Sequence, residues 1–592
     1  MSTHISRSSR SARQRRGGAL VGGLAAVATA LAGATVASAG PAASAPPTGD
    51  CATAYPIADL AAGDPVTGKT VSAGTVPDPF TGSVLGVIED GIAPDLDMVM
   101  VRLTSTEIDR VGGIWQGMSG SPVYAGDGRL IGAVAYGLSF GPSPVAGVTP
   151  FAEMDNYLAG ATTSRVSVDA GQARAIAGAA GITRSEAAQG FTQLRIPYGV
   201  SGVSGSRLAK MPERPYRDKT LATSNATTDA AGPGADTMIA GGNVAATLAY
   251  GDITQGGVGT VTSVCGQRVV AFGHPLAFFG TTTLGLHPAS AVYVQEDSVG
   301  PPFKVANFGP RVGTITDDHL SGITGTFDAI TPTTSVTSTL VHGARSRVGR
   351  TDVAAPIATA DTTAIQILAN HDRLLDGLTK GSELQSWTIA GARPDGTPFT
   401  LVRTDRYASS DLAFEVPFDV ADAVYMLGTF EGVRIDSVTV NGTVVKDART
   451  WSLAKLRAKS GGEWKTIKSG GRIDAKAGKL LRLRAVLTSP LGERAVRVKV
   501  KVPGRAQGGG FLAVTGGADY FGAVDFSEEG GGFESFSSVD DYLVSQRATV
   551  RNDAVAVDLF VEGRRSTKMR QGVSAAQDRV VSGYKEYRVR IR

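Results

Sequence analysis

Cysteine and histidine are scarce in this sequence, with two and six residues in a chain of 592. Two cysteines without a nearby histidine cluster do not make a zinc site. Net charge is also small, because 58 basic residues nearly balance 54 acidic ones, so composition gives no argument for a nucleic-acid partner. The chain lacks a GxxxxGK[ST] loop, an HExxH motif, a CxxC pair and the acidic spacing of a calcium loop. We therefore expect no cofactor and no bound metal.

Long apolar runs are missing too, except near the N-terminus. Residues 1–16 carry five arginines, and an Ala- and Gly-rich apolar stretch leads to the A-x-A triplet at 37–39, with a second such triplet at 43–45. This order of features predicts a secretory signal peptide over 1–39. An uncleaved membrane anchor is the alternative, since the run approaches the roughly 20 residues that a spanning helix needs. We expect a secreted or cell-envelope protein with no membrane span once the signal is removed.

An exported chain can keep disulfides, and two cysteines are the number needed for one bridge. Cys51 and Cys265 both follow the predicted signal. We expect a bridge between them; two unpaired buried thiols are the alternative.

What the sequence has in excess is glycine, at 76 residues, together with many Val and Thr. This composition favours short strands joined by turns, and so a mainly β fold. Alternating runs such as KLLRLRAVL and AVRVKVKV are typical of β-sandwiches. We predict a flexible leader over 40–52, a β domain over 53–345 with a loop or linker near 211–236, and one or two sandwich-like modules over 346–592. Residues 507–540 are predicted as a long loop and 361–377 as partly helical.

The stretch at 112–124, GGIWQGMSGSPVY, packs four glycines and two serines between apolar runs. Glycines are expected in any tight turn. A nucleophilic serine also needs such a turn, because backbone amides must be able to face an oxyanion. Ser121 is expected to serve the turn by hydrogen bonding, and Trp115 and Met118 to pack beside it.

QGMSGSP, followed by a turn and LIGAV, resembles the serine loop of the stage IV sporulation protein B (SpoIVB) peptidase family. The resemblance covers roughly residues 55–345. Four further stretches extend it: GSVLGVIEDG, MVMVRLTSTEIDRVGG, RVVAFGHPL at 268–276 and VGTITDDHLSGITG at 312–325. It implies a chymotrypsin-like double β-barrel, or a variant of it, with serine peptidase activity. The C-terminal part lies outside the resemblance.

The resemblance implies Ser119 as nucleophile, His274 as general base, and the amides of Gly117 and Ser119 as the oxyanion hole. The sequence departs from the family in two ways. The histidine follows the serine instead of preceding it, and Thr104 stands where the family has an aspartate.

Another carboxylate could therefore serve as the acid. We predict Asp97, with three others as alternatives: Asp109, Asp317 and Asp318. His287 is the reserve base, and His319 is predicted to be exposed.

Two functions follow from these residues. The first is an exported serine endopeptidase that acts on a protein or peptide substrate through an acyl-enzyme. The second is a catalytically degenerate, peptidase-like binding or adhesion protein. In either case the C-terminal region could bind a cell-envelope partner.

Overall fold

The structure is a computed structural model that describes residues 45–154, 165–211, 231–297, 300–506, 508–520, 536–562 and 567–592. The predicted signal peptide, most of the predicted linker and part of the predicted 507–540 loop lie outside the described residues. Strands account for 50% of the residues and helices for 17%, which confirms a mainly β chain.

The first β-barrel is built from six strands: β1 (Pro65–Thr70), β2 (Asp78–Ala93), β3 (Leu96–Thr104), β4 (Pro122–Tyr124), β5 (Leu130–Leu138) and β6 (Val145–Pro150). They pair antiparallel in the order β1-β2-β3-β6-β5-β4, and β4 closes the ring onto β1. Buried aliphatic side chains and Trp115 fill it.

Short elements flank this barrel and lead to the next one: α1 (Thr106–Val111), α2 (Phe151–Met154), β7 (Arg165–Val166), α3 (Ala170–Ala180), α4 (Arg184–Ala187), β8 (Phe191–Gln193), β9 (Tyr198–Ser201) and α5 (Gly205–Leu208). Helix α1 begins at the cap residue Ser105, whose hydroxyl accepts the Ile108 amide. It ends at Gly112, which adopts a left-handed φ of 80°.

The second barrel has six strands as well: β10 (Asn243–Gly251), β11 (Thr254–Cys265), β12 (Arg268–Ala271), β13 (Gly280–Gln295), β15 (Gly313–His319) and β16 (Gly322–Phe327). They close antiparallel in the order β10-β11-β12-β16-β15-β13. If the six strands of each barrel are numbered 1 to 6 in chain order, neighbouring strands in both barrels follow the same order, 1-2-3-6-5-4. The predicted double β-barrel is confirmed.

The sheet of the second barrel continues beyond residue 345. It takes in further strands: β14 (Phe303–Phe308), β17 (Thr334–His342), β18 (Arg345–Val353), β19 (Gly381–Ala392), β20 (Pro398–Ser409) and β21 (Arg434–Val445). Residue 345 is the first residue of β18, which pairs with β10 of the barrel. Helices α6 (Thr359–Leu375), α7 (Leu412–Glu415) and α8 (Phe418–Gly428) contact this extension.

The remaining strands form two five-stranded sheets. One holds β22 (Trp451–Ser460), β23 (Glu463–Ile467), β25 (Leu480–Ser489), β26 (Gly492–Lys501) and β30 (Val581–Ser582); the other holds β24 (Arg472–Ala475), β27 (Gly508–Gly516), β28 (Val555–Glu562), β29 (Thr567–Val573) and β31 (Tyr584–Ile591). Alternating side chains from both sheets share one core, as the predicted β-sandwich requires. Strand β27 and helix α9 (Val539–Ala548) occupy parts of the segment predicted as a loop.

Cys51 and Cys265 form a disulfide, which confirms that prediction. The bridge joins the segment before the first barrel to the end of β11. Asp50 adds to the attachment, because its carboxylate accepts the Ser263 hydroxyl and the Val264 amide. The end of the predicted leader is therefore docked on the second barrel.

Among the described helices, none has both the length and the apolar character needed to cross a bilayer.

Candidate active site

Residues 112–121, which we call the serine turn, lie between α1 and β4. The turn is part of the connection between the third and fourth strands of the first barrel. Gly117 and Gly120 have φ angles of 90° and 95°, which L side chains rarely adopt. A Cβ on Gly120 would lie 1.9 Å from the Thr260 carbonyl oxygen of β11. Glycine is therefore required at 120 for two reasons, backbone conformation and close approach to the second barrel.

Hydrogen bonds dock this turn onto β11. The Thr260 amide donates to the Ser119 carbonyl at 2.8 Å, and the Thr262 hydroxyl donates to the Gly120 carbonyl at 2.8 Å. The nucleophile candidate is thus held from both barrels.

His274 lies in the corresponding connection of the second barrel, after its third strand, β12. Phe272 and Gly273 precede it with φ angles of 72° and 70°, which turn the chain out of the strand. The Gly273 carbonyl accepts the Thr149 hydroxyl of β6 at 2.6 Å, so the first barrel also holds this turn.

Ser119 and His274 meet between the barrels. The Ser119 Oγ lies 2.8 Å from the His274 Nε2, although the two residues are 155 positions apart. On the other side of the ring, Nδ1 lies 2.8 Å from the Pro275 carbonyl oxygen. A carbonyl can only accept, so the proton sits on Nδ1 and Nε2 is free to accept the serine proton. This is the tautomer that a general base needs.

Burial sets the basicity of His274. The ring is 1% exposed, and desolvation lowers its pKa to about 4, against a smaller opposing effect of the Pro275 carbonyl. His274 is therefore neutral near pH 7. A neutral carbonyl orients the ring as a carboxylate would, but it supplies no charge to stabilise an imidazolium.

Among the residues that the structure describes, the predicted oxyanion-hole amides have no hydrogen-bond partner. In the turn, the Met118 amide donates to the Trp115 carbonyl and the Gly120 amide to the Val134 carbonyl. Within the part of the chain that the structure describes, the amides of Gly117 and Ser119 have no acceptor, although both residues are buried. Buried amides without partners are rare, and an oxyanion hole is one place where they are expected.

Ser121, Met118 and Trp115 have the structural roles that the sequence suggested. The Ser121 hydroxyl donates to the Met118 carbonyl at 2.6 Å and contacts the Thr70 hydroxyl at 2.9 Å. Met118 and Trp115 are fully buried in the first barrel's core.

Asp97 does not occupy the position predicted for it. Its carboxylate accepts the Asp90 amide at 3.0 Å, a hydrogen bond from the end of β2 to the start of β3. The group that contacts His274 Nδ1 is the Pro275 carbonyl, so the prediction that Asp97 orients the imidazole has to be corrected. The reason is local: Asp97 lies near the start of β3, where a carboxylate caps the hairpin.

Asp109 and Asp317 are engaged elsewhere. Asp109 contacts the Thr104 hydroxyl, and Asp317 accepts the Thr316 hydroxyl at 2.6 Å. His319, predicted to be exposed, is partly buried 3.5 Å from Asp317.

Asp318 is the carboxylate that supports the histidine, and it does so through the backbone. It is fully buried and accepts the amides of Leu276, Ala277 and Phe279 at 2.7–3.0 Å. Burial raises the pKa of Asp318, and the amide hydrogen bonds oppose that rise. These bonds hold the segment that follows His274, and with it the carbonyl of Pro275.

His287 serves the interior of the second barrel. Its Nε2 contacts the Thr247 hydroxyl at 2.9 Å and its Nδ1 the Gly309 carbonyl at 2.9 Å, so both ring nitrogens are used there. The structure thus brings Ser119 together with His274 and not with the reserve base.

Access is the feature that the pair lacks. Ser119 is 0% exposed and His274 is 1% exposed. A peptide carbonyl can reach the Ser119 Oγ only if the surrounding side chains move.

Comparisons of this chain with models of protein families, with curated proteins and with solved structures found no match.

Proposed function

We propose that this chain is an exported serine endopeptidase, with Ser119 as nucleophile and His274 as general base. The observation that carries the proposal is the 2.8 Å hydrogen bond between the Ser119 Oγ and the His274 Nε2. A nucleophile within hydrogen-bond reach of a base that is itself oriented by a third group is the geometry of acyl transfer.

The reaction would run through an acyl-enzyme. The Ser119 hydroxyl passes its proton to Nε2 of His274 as the Oγ attacks the peptide carbonyl carbon. The resulting oxyanion accepts hydrogen bonds from the amides of Gly117 and Ser119. As the peptide bond breaks, Nε2 returns the proton to the leaving amine. A water molecule, deprotonated by the same nitrogen, then hydrolyses the ester and restores the Ser119 hydroxyl.

The two-barrel architecture supports the resemblance to the SpoIVB-type peptidase family despite the reversed order. Both barrels have the same strand order, and Ser119 and His274 occupy the equivalent connection in each. Two equivalent positions that face each other can carry the serine and the histidine in either order. The order along the chain is therefore no obstacle to the chemistry.

A second candidate function rests on two observations. The pair is buried, and its third member is a carbonyl rather than a carboxylate. A protein that keeps the barrels but has lost turnover would have these features, and its C-terminal modules would then bind a cell-envelope partner.

A fluorophosphonate probe separates the two functions. We expect the folded wild-type protein to be labelled, and Ser119→Ala and His274→Ala to lose labelling by at least about 10³-fold. Ser121→Ala is the matched control in the same turn and should still be labelled. A folded wild-type protein that resists labelling would favour the binding function, and labelling that survives Ser119→Ala would assign another serine.

Export is part of the proposal and has its own support. Residues 1–39 have the features of a signal peptide, and disulfides persist mainly in oxidising compartments. The mass of the protein recovered from the medium, and its N-terminal residue, would test removal of the signal.

A further inference from the structure

One sheet of the C-terminal sandwich presents a strongly basic outer surface. Strands β22, β25 and β26 alternate buried aliphatic residues with outward-facing cations. We define the basic face by the eight outward-facing cations of these strands: Lys455, Arg457, Lys459, Arg482, Arg484, Arg497, Lys499 and Lys501.

Like charges lie directly opposite one another across these strands. Arg484 of β25 is the cross-strand partner of Arg457 on one side and of Arg497 on the other. Arg482 of β25 is likewise paired with Lys499 of β26. Directly opposed side chains have Cβ atoms about 5 Å apart, and like charges in such pairs are destabilising. The sheet therefore carries a repulsion that its own fold does not require.

Counter-charges on this face are few. Glu493 pairs with Lys455 at 3.0 Å and with Arg457 at 3.8 Å. Arg484 lies 4.1 Å above the Trp464 ring. For the other cations on the basic face, the described part of the chain offers no carboxylate partner.

Protection of a sheet edge accounts for some of these charges. Lysines on an edge strand discourage pairing with another chain, and β26 is at the end of its sheet. Arg482 and Arg484 do not fit this explanation, because β25 lies between β22 and β26. A bound anion accounts for the interior arginines as well as for the edge lysines.

We propose that the basic face binds an anionic polymer of the cell envelope, one that bears repeated phosphate or carboxylate groups. Several guanidinium forks on one face of a sheet suit the oxygens of such groups. A membrane surface is less suited to this face, because peripheral binding adds several apolar anchors to the charges. The Trp464 ring is covered by Arg484, and on the described strands β22, β25 and β26 the one large apolar side chain that is exposed is Leu480. The inference rests on the export part of the proposed function and not on peptidase activity.

The test uses the full exported chain with immobilised polyphosphate and polyglutamate, and uncharged dextran as the blank. We expect both charged polymers, or one of them, to bind, with log K falling linearly with log salt concentration. The fourfold variant Arg482→Ser/Arg484→Ser/Arg497→Ser/Lys499→Ser should bind on the order of 600-fold more weakly, since each of the four cations near an anionic surface contributes about fivefold. The polymer that binds more tightly identifies the preferred anionic group.

A second fourfold variant, Lys568→Ser/Arg570→Ser/Lys585→Ser/Arg588→Ser, removes equal charge from the other sheet of the sandwich and should bind as the wild type does. An equal loss of affinity in both variants would overturn the proposal, because binding would then depend on net charge alone. Tighter binding to phosphatidylglycerol vesicles, or to single-stranded DNA, would overturn it in favour of a membrane or a nucleic acid. Fluorophosphonate labelling should be the same in both variants, so this proposal and the peptidase proposal can fail independently.

Discussion

The imidazole of His274 is oriented by the carbonyl of the next residue, Pro275, which lies 2.8 Å from Nδ1. That carbonyl is in turn held in place by a segment that the buried carboxylate of Asp318 binds through three amides. In a Ser-His-Asp triad a carboxylate contacts the ring directly. Here the carboxylate of Asp318 acts on the ring only through the backbone segment that follows His274. This arrangement separates orientation of the base from stabilisation of its charged form.

Removing Asp318 should slow the chemistry without touching the reacting atoms. Asp318→Ala leaves three buried amides without an acceptor, at a cost of about 3 kcal/mol or more in the free energy of unfolding. We expect the fluorophosphonate labelling rate of the folded variant to fall by about tenfold or more, because a displaced base geometry slows proton transfer. Asp318→Asn keeps an acceptor oxygen and should recover part of the rate.

Asp97→Asn is the matched control for that experiment. Asp97 contacts the Asp90 amide and not the histidine, so its variant should be labelled at the wild-type rate. A rate loss with Asp97→Asn as large as that with Asp318→Ala would restore Asp97 as the acid and refute the role given to Asp318.

The pH dependence of labelling should reflect a weak base. Burial lowers the pKa of His274 to about 4, so the neutral, competent ring persists well below the unperturbed value of about 6.5. We expect the second-order labelling rate to be constant from about pH 7.5 to 5.5 and to fall by half near pH 4. A midpoint near 6.5 would contradict the burial that the structure gives this ring.

The free energy of unfolding should also depend on pH, so the fold has to be monitored in the same pH series. His274 and His287 both have their pKa values lowered to about 4 by burial, so between pH 6.5 and 4 the unfolded chain binds more protons than the folded one. The free energy of unfolding should therefore decrease as the pH falls through that window. Circular dichroism at each pH separates loss of fold from loss of the base.

Gly120 should tolerate no side chain. In Gly120→Ala the new Cβ would lie 1.9 Å from the Thr260 carbonyl oxygen, in addition to the cost of about 1–2 kcal/mol for a left-handed Ala. We expect loss of labelling and destabilisation by more than about 3 kcal/mol, measured by denaturant unfolding.

Gly128 provides the control for conformation alone. Its φ of 86° is similar, but a Cβ there would meet nothing within 4 Å. Gly128→Ala should cost only the backbone strain and should keep labelling. Equal effects at the two glycines would argue against a tight approach between the serine turn and β11.

The disulfide should stabilise the described body of the chain considerably. It closes a loop across a sequence separation of 214 residues, so its removal should lower the free energy of unfolding by about 2–5 kcal/mol. The double variant Cys51→Ser/Cys265→Ser, compared with the wild type in urea, measures this. Alkylation of the unfolded wild type without reductant should add no mass; a mass increase would mean that the bridge is absent.

Local patterns were enough to predict several features. Apolar alternation in runs such as KLLRLRAVL indicated the sandwich strands, and the helical patch predicted at 361–377 matches α6 within two residues at each end. Strand β27 within 507–540 was missed, as was the start of helix α9 at residue 539, because Gly, Ser and acidic residues dominate the composition there. The disulfide was predicted from the number of cysteines together with the predicted export of the chain. Ser119 and His274 were singled out by the resemblance of QGMSGSP and RVVAFGHPL to the SpoIVB-type peptidase family, and the glycine-rich turn around Ser119 was compatible with that role.

The sequence by itself therefore determined the strand character of the chain, the glycine-bearing turn and the residues capable of nucleophilic chemistry. Only the tertiary structure decided which group orients the base, because a backbone carbonyl is present at every residue and leaves no signal in the sequence. The meeting of Ser119 with His274 depends on the closure of two barrels of six strands, which pair residues far apart along the chain. Side-chain alternation fixes which face of each strand is buried, but not which strand becomes its neighbour.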